Sequence, residues 1–171
     1  MMSSPDTSRV RRGVLRAVGL ASLLAALPVR AVESWTAPQK FDPRRDAAAD
    51  VAAAVRHAAA TRRRVIVDVG GEWCTWCHIM DRFFESRPEL MALRERHYVW
   101  VKVNYSKDNP NTALLSRWPR IAGYPHLFVL DARGELVHSQ DTSVLESGQS
   151  YSVEAMRNFL TRFAPSGATR A

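Results

Sequence analysis

The chain has 171 residues, 46% of them hydrophobic, which suits one domain whose core needs no staples. Its formal net charge is +7, but the first 31 residues hold five arginines against one aspartate, so the remainder carries only a small excess. That excess is too small to argue for a nucleic-acid or anionic-lipid partner.

Residues 1–31 read as an export signal. "RVRRGVLR" is basic, "AVGLASLLAALP" is apolar, and Ala31 is a small residue suited to cleavage. The apolar run is too short and too close to Arg16 for a membrane span, so no stable membrane insertion is expected. Arg11-Arg12-Gly13-Val14-Leu15-Arg16 resembles the twin-arginine export pattern, and fits an arginine-rich general secretory signal equally well. A periplasmic location follows, where thiols meet oxidising conditions.

Residues 32–45 form a short polar lead, a domain is expected over 46–165, and 166–171 make a tail. The domain opens with an alanine-rich helix in which Ala47, Val51, Val55, Ala58 and Ala59 recur at helical spacing, closed by the basic run Arg62, Arg63 and Arg64. "VIVDVGG" is a β-branched run ending in glycines and predicts a buried strand. Residues 74–85 have helical apolar spacing (Cys77, Met80, Phe84), and Ser86 with Glu89 predicts a capping box for a second helical piece starting near Pro88. "YVWVKVNY" predicts a strand, and "DNPNTALLSRW" a helix that stops before Pro119. "HLFVLD" and "ELVHSQ" predict two strands joined at hairpin length, and "SVEAMRNFLTRF" a final amphipathic helix. Strands separated by helices imply parallel pairing, with the late hairpin as an antiparallel edge. The fold class expected is therefore α/β, a central mixed sheet flanked by helices.

The two cysteines, Cys74 and Cys77, stand in "GEWCTWCHIM" at the junction of the first strand and its helix. Cysteines so close in sequence are poorly suited to stapling distant parts of a fold. A dithiol that exchanges disulfides needs one accessible, low-pKa sulfur and one that resolves the mixed disulfide. A thiolate at a helix N-terminus faces unpaired N–H groups and the positive end of the helix dipole, which favours Cys74 for the first role. Cys77, one turn on, faces inward and takes the second.

"VIVDVGGEWCTWC" resembles the active-site strand and helix start of the thioredoxin family. "WVKVNYSKDNP" resembles its next strand, and "RIAGYPHLFVLDARGEL" the segment with its cis-proline. "WCTWCHIMDRFFESRPEL" is similar to an exported bacterial subgroup that includes the periplasmic C-terminal domain of the transmembrane disulfide-interchange reductase. The resemblance implies a thioredoxin fold and thiol–disulfide exchange with protein substrates. It makes Asp68 the buried carboxylate that takes the proton of Cys77, Lys102 the lysine near that carboxylate, and Pro125 the cis-proline. The Tyr124 backbone would then offer an edge to an extended substrate, and Trp73 and Trp76 an apolar rim. The sequence departs from the family at Thr75-Trp76, where the family has Gly-Pro, and at His126, where it has threonine. The thioredoxin potential therefore does not carry over.

Cys-x-x-Cys-His also attaches haem in c-type cytochromes, with His78 as the axial ligand. A buried strand running straight into the motif is unlike those helical proteins, and haem would leave Asp68 and Pro125 unexplained. Two cysteines and one adjacent histidine do not make a tetrahedral zinc set, so neither metal nor cofactor is expected. His78 either tunes the thiols by its charge or faces solvent. The expectation is an exported oxidoreductase acting as a reductant, which in the periplasm needs a membrane or periplasmic electron donor. The alternatives are a disulfide donor or isomerase, or a non-catalytic client-binding module.

Overall fold

The computed structural model describes residues 35–166, so the expected export signal and its cleavage site lie outside the described residues. The first helix, α1 (Ala47–Thr61), is capped by the Asp46 carboxylate, which accepts the Ala49 N–H at 3.0 Å. It ends at Arg62, whose positive φ of 56° closes the last turn. Its buried stripe of Ala47, Val51, Ala54 and Ala58 is mostly methyl-sized, which lets the helix lie close to the sheet. The basic run beyond it serves the fold: Arg63 donates to the Glu95 and Tyr98 carbonyls, and Arg64 to that of Phe163.

Strand β1 (Arg64–Gly70) is central and covered on both faces. Its alternation sends Val65, Val67 and Val69 to the α1 side and Ile66 to the opposite side, where Asp68 joins it. The Ile66 side is roofed by α2 (Thr75–Glu85), α3 (Pro88–His97) and the last helix, α5 (Val153–Arg162). Between them come β2 (Tyr98–Asn104), the single turn α4 (Thr112–Leu115), and the hairpin strands β3 (His126–Leu130) and β4 (Leu136–Asp141). A 3-10 turn (Thr142–Leu145) and a two-residue hairpin, β5 (Glu146–Ser147) with β6 (Ser150–Tyr151), lead into α5. The sheet order is β2-β1-β3-β4, giving the mixed α/β sheet expected.

Four details differ from the sequence reading. Among the described residues only β1 and β2 pair in parallel; β3, though reached through a helical turn, runs antiparallel to β1. The irregular path after α4 stays at the end of the sheet where β2 finishes, so β3 enters from that end beside Val69 and runs back along β1. The helix expected across residues 108–118 is one turn, because Asn111 at positive φ precedes it and Ser116 ends it. The capping box at Ser86 does not form: its hydroxyl bonds the Phe83 carbonyl and closes α2, while α3 starts on Pro88 without a side-chain cap. The lead from Trp35 is not apart from the domain's core, for Phe41 is 1% exposed and packs against both cysteines.

Candidate active site

The sharp exit from β1 rests on two glycines. A Cβ on Gly70 would lie 2.3 Å from the Cys77 sulfur, and one on Gly71 would lie 2.2 Å from the Trp73 indole nitrogen. With neither present, the chain turns tightly into α2 and its side chains fold back over β1. Cys74 is the N-cap of α2, and its sulfur accepts the Cys77 N–H at 3.1 Å. The two sulfurs are joined as a disulfide with a Cα–Cα distance of 5.3 Å.

In this oxidised state the accessible sulfur expected at Cys74 is not accessible. Cys74 is 3% exposed and Cys77 1%, because Phe41, Trp76 and Tyr124 close around the pair. His78 turns back to the loop, where its Nε2–H donates to the Glu72 carbonyl at 2.8 Å, which fixes the tautomer.

Asp68 lies on the α2 side of β1 and is 2% exposed. One carboxylate oxygen accepts the Trp100 indole N–H at 3.0 Å; the other, Oδ1, is buried with no partner. Burial pushes its pKa up to about 6, against weaker opposing pulls from the Lys102 charge and the Trp100 bond. Lys102 is the register partner of Asp68 across β1 and β2, as the family pattern implies, but its ammonium bonds Asp81 at 2.6 Å and stands 4.4 Å over the Phe41 ring. Arg94 lies over the Trp100 and Phe84 rings, and burial holds its pKa below the usual guanidinium value.

The Tyr124–Pro125 peptide is cis, and the Pro125 carbonyl accepts the Thr142 hydroxyl at 2.6 Å. Outside the pair runs an exposed aromatic ledge. Trp73, 57% exposed, donates its indole N–H to the Tyr105 carbonyl and meets Tyr124 edge-on, while Tyr124 stacks on Tyr105 at 4.9 Å. Beside it is a cleft of about 490 Å³ lined by Trp73, Tyr105, Ser106, Lys107 and Pro110. Trp76 faces the other way, edge-on to Tyr151. His126 packs on Phe128 on the α1 side and bonds Ser139, and burial lowers its pKa.

Cys74, Cys77, Trp76 and Tyr124 are thus brought together, with Trp73 and Pro125 beside them and Asp68 beneath the α2 side. Three residues that sequence reasoning did not find complete the surroundings. Asp81 follows Cys77 by four residues and so shares its helix face, and Trp100 precedes Lys102 by two and shares its strand face. Phe41 gave no signal, because the lead has no periodicity to read. Among the described residues no helix is long and apolar enough to cross a membrane, and no cluster of three or more His, Cys, Asp or Glu is placed to hold a metal ion.

A family model described as Thioredoxin-like matches residues 46–132, just over half of the chain. No curated protein matches it in sequence. Its fold is similar to that of a disulphide isomerase from Xylella fastidiosa Temecula1, at 22% identity over 74% of this chain and 96% of that one, with a TM-score of 0.62. It is also similar to the reduced C-terminal domain of DsbD from Neisseria meningitidis, at 20% identity over 69% and 96% of the two chains, with a TM-score of 0.51. The chain belongs to the thioredoxin-like family, and its Cys74–Cys77 disulfide fits the Cys-x-x-Cys site of a thiol–disulfide oxidoreductase.

Proposed function

We propose that this protein is an exported reductant of protein disulfides. The Cys74 thiolate attacks a substrate disulfide; a Cys74–substrate S–S bond forms and the other substrate sulfur leaves as a thiolate that takes a proton from solvent. Cys77 then gives its proton to Asp68 and attacks the Cys74 sulfur. The intramolecular disulfide forms and the second substrate thiol departs, so two electrons have passed from the dithiol to the substrate. The disulfide seen between Cys74 and Cys77 is the end state of that turnover.

The observation that carries this reading is the buried Asp68 on the α2 side of β1, with one oxygen unpartnered and a pKa of about 6. A base poised near neutral pH suits removal of the proton from a buried thiol. Lys102 acts through its charge on Asp68, at one remove because it is bonded to Asp81. The ledge of Trp73 and Tyr124 beside cis-Pro125 supports docking of an extended peptide, while Trp76 lies against the cysteine pair and Tyr151. Export is supported by the basic, apolar and small-residue order of residues 1–31, read as a signal removed near Ala31 from a domain of residues 46–165. Outside the cytoplasm, re-reduction of the pair requires a membrane or periplasmic electron donor. The similar proteins, a disulphide isomerase and a DsbD domain, fit protein disulfides as the substrate class.

Reduction of insulin disulfides by stoichiometric dithiol protein tests the reading. Wild type is expected to precipitate the insulin B chain and Cys74→Ser to be inert; equal activity in the two, or none in wild type, would refute it.

A further inference from the structure

Phe41 is held at three points. At Gly70, the site of the absent Cβ is 2.3 Å from the Cys77 sulfur and 3.2 Å from Phe41 Cζ, so sulfur and ring edge converge on one spot of β1. The Phe41 N–H donates to the Glu72 carboxylate at 2.9 Å, in the loop that leads into Cys74. On the ring's face stands the Lys102 ammonium. The residues after Phe41 are fastened as well: the Pro43 carbonyl accepts the Asn109 amide at 2.8 Å, and Arg45 forks onto the buried Asp50. The lead around Phe41 is therefore tied to the loops on both sides of the site, and full burial of its ring favours this docked position.

We propose that Phe41 is a positioning residue that caps the resolving sulfur, so that Cys77 reacts with the Cys74 mixed disulfide and with little else. The proposal rests on the exchange scheme above. The exposures of the two sulfurs are nearly equal and do not by themselves separate attacker from resolver. The Phe41 ring packs against both cysteines, but it is the Cys77 sulfur that shares the Gly70 slot with the ring edge. Under apolar cover a thiol keeps its proton and meets no solvent reagent. Attack by Cys77 then waits for the one electrophile already inside the cover, the Cys74 sulfur.

The test uses the whole chain, reduced and pulsed with iodoacetamide across pH, with adducts at each cysteine counted by mass spectrometry. Phe41→Ala is expected to raise the ratio of Cys77 to Cys74 labelling about tenfold, with the Cys77 profile moved to lower pH as water reaches the thiol. Phe41→Met, which refills the space with an apolar chain, is expected to bring the ratio back to within about twofold of wild type. A parallel rise at both cysteines would mean general loosening and would overturn the role, as would an unchanged ratio. If Phe41→Ala does not fold, Glu72→Ala, which cuts the bond to the Phe41 N–H, decides by the same ratio: a rise of about twofold or more supports the cap, and no change overturns it. Reduction of a peptide disulfide by wild type is measured alongside. If wild type fails there, the exchange scheme falls and the role of Phe41 with it; if it succeeds with the ratio unmoved, only the role of Phe41 falls.

Discussion

Lys102 stands across from Asp68 in the register of β2 and β1, yet its ammonium bonds both carboxylate oxygens of Asp81, at 2.7 and 2.6 Å. A lysine bonded directly to Asp68 would hold that carboxyl low. With Lys102 engaged by Asp81, burial outweighs attraction and the Asp68 pKa rises to about 6.

Replacement of either partner should move Asp68 in opposite directions. The Asp81 charge raises the Asp68 pKa and the Lys102 charge lowers it. Asp81→Asn should therefore shift the acid-limb break of the pH–rate profile below pH 6, and Lys102→Met should shift it above. Stopped-flow reduction of a disulfide peptide across pH reads both; breaks that move together would contradict the arrangement.

Asp68→Asn should slow exchange at neutral pH by about 10²–10⁴-fold, the usual cost of a lost general base. Its stability should respond to pH with a definite sign. The folded protein keeps the Asp68 proton up to about pH 6, while the unfolded chain loses it from the ordinary value of 3.8, so wild-type stability falls as pH rises through that window. The Asn variant lacks that fall and should gain on wild type by up to roughly 3 kcal/mol between pH 4 and 7. A constant cost from the unpartnered amide at the Oδ1 position offsets the gain without changing its slope. Urea melts at the two pH values measure the difference; a difference independent of pH would show that Asp68 is not the titrating group.

Gly70→Ala should be disproportionately harmful for one methyl. The added Cβ meets the Cys77 sulfur at 2.3 Å, and the sulfur is fixed by its disulfide and the Phe41 ring. Overpacking of this kind costs about 1–3 kcal/mol, visible as a lowered Tm in the oxidised protein. An unchanged Tm would mean that the slot relaxes freely.

Cys77→Ser should accumulate mixed disulfides between Cys74 and client proteins, seen as dithiothreitol-sensitive ladders on non-reducing gels of an exported, tagged variant. Cys74→Ser should trap none. Equal trapping would reverse the roles of the two sulfurs.

Much of this site was legible because its residues obey local rules. Strand alternation puts Asp68 on the α2 side with Ile66, and the position of Cys74 before a run of helical spacing makes it the N-cap. What was not legible depends on contacts between distant segments. Nothing local to Phe41 says that its ring will seal Cys77, and nothing local to Lys102 says that it will choose a carboxylate on α2 over its strand neighbour. The antiparallel β3 escaped for a similar reason: its direction is set by the irregular path of residues 116–125, which has no period to read. Ser86 had a capping sequence but closed the helix before it, because the Phe83 carbonyl lay within reach of its hydroxyl.

The reduction potential of the Cys74–Cys77 couple, measured by equilibration in dithiothreitol and glutathione buffers, tests the proposed reducing role most directly. A strong reductant should sit near about −270 mV, the value of thioredoxin, and remain largely oxidised in glutathione mixtures. A value near about −120 mV, that of a strong disulfide donor, would contradict the reducing role and make the Cys74–Cys77 disulfide the starting state of turnover.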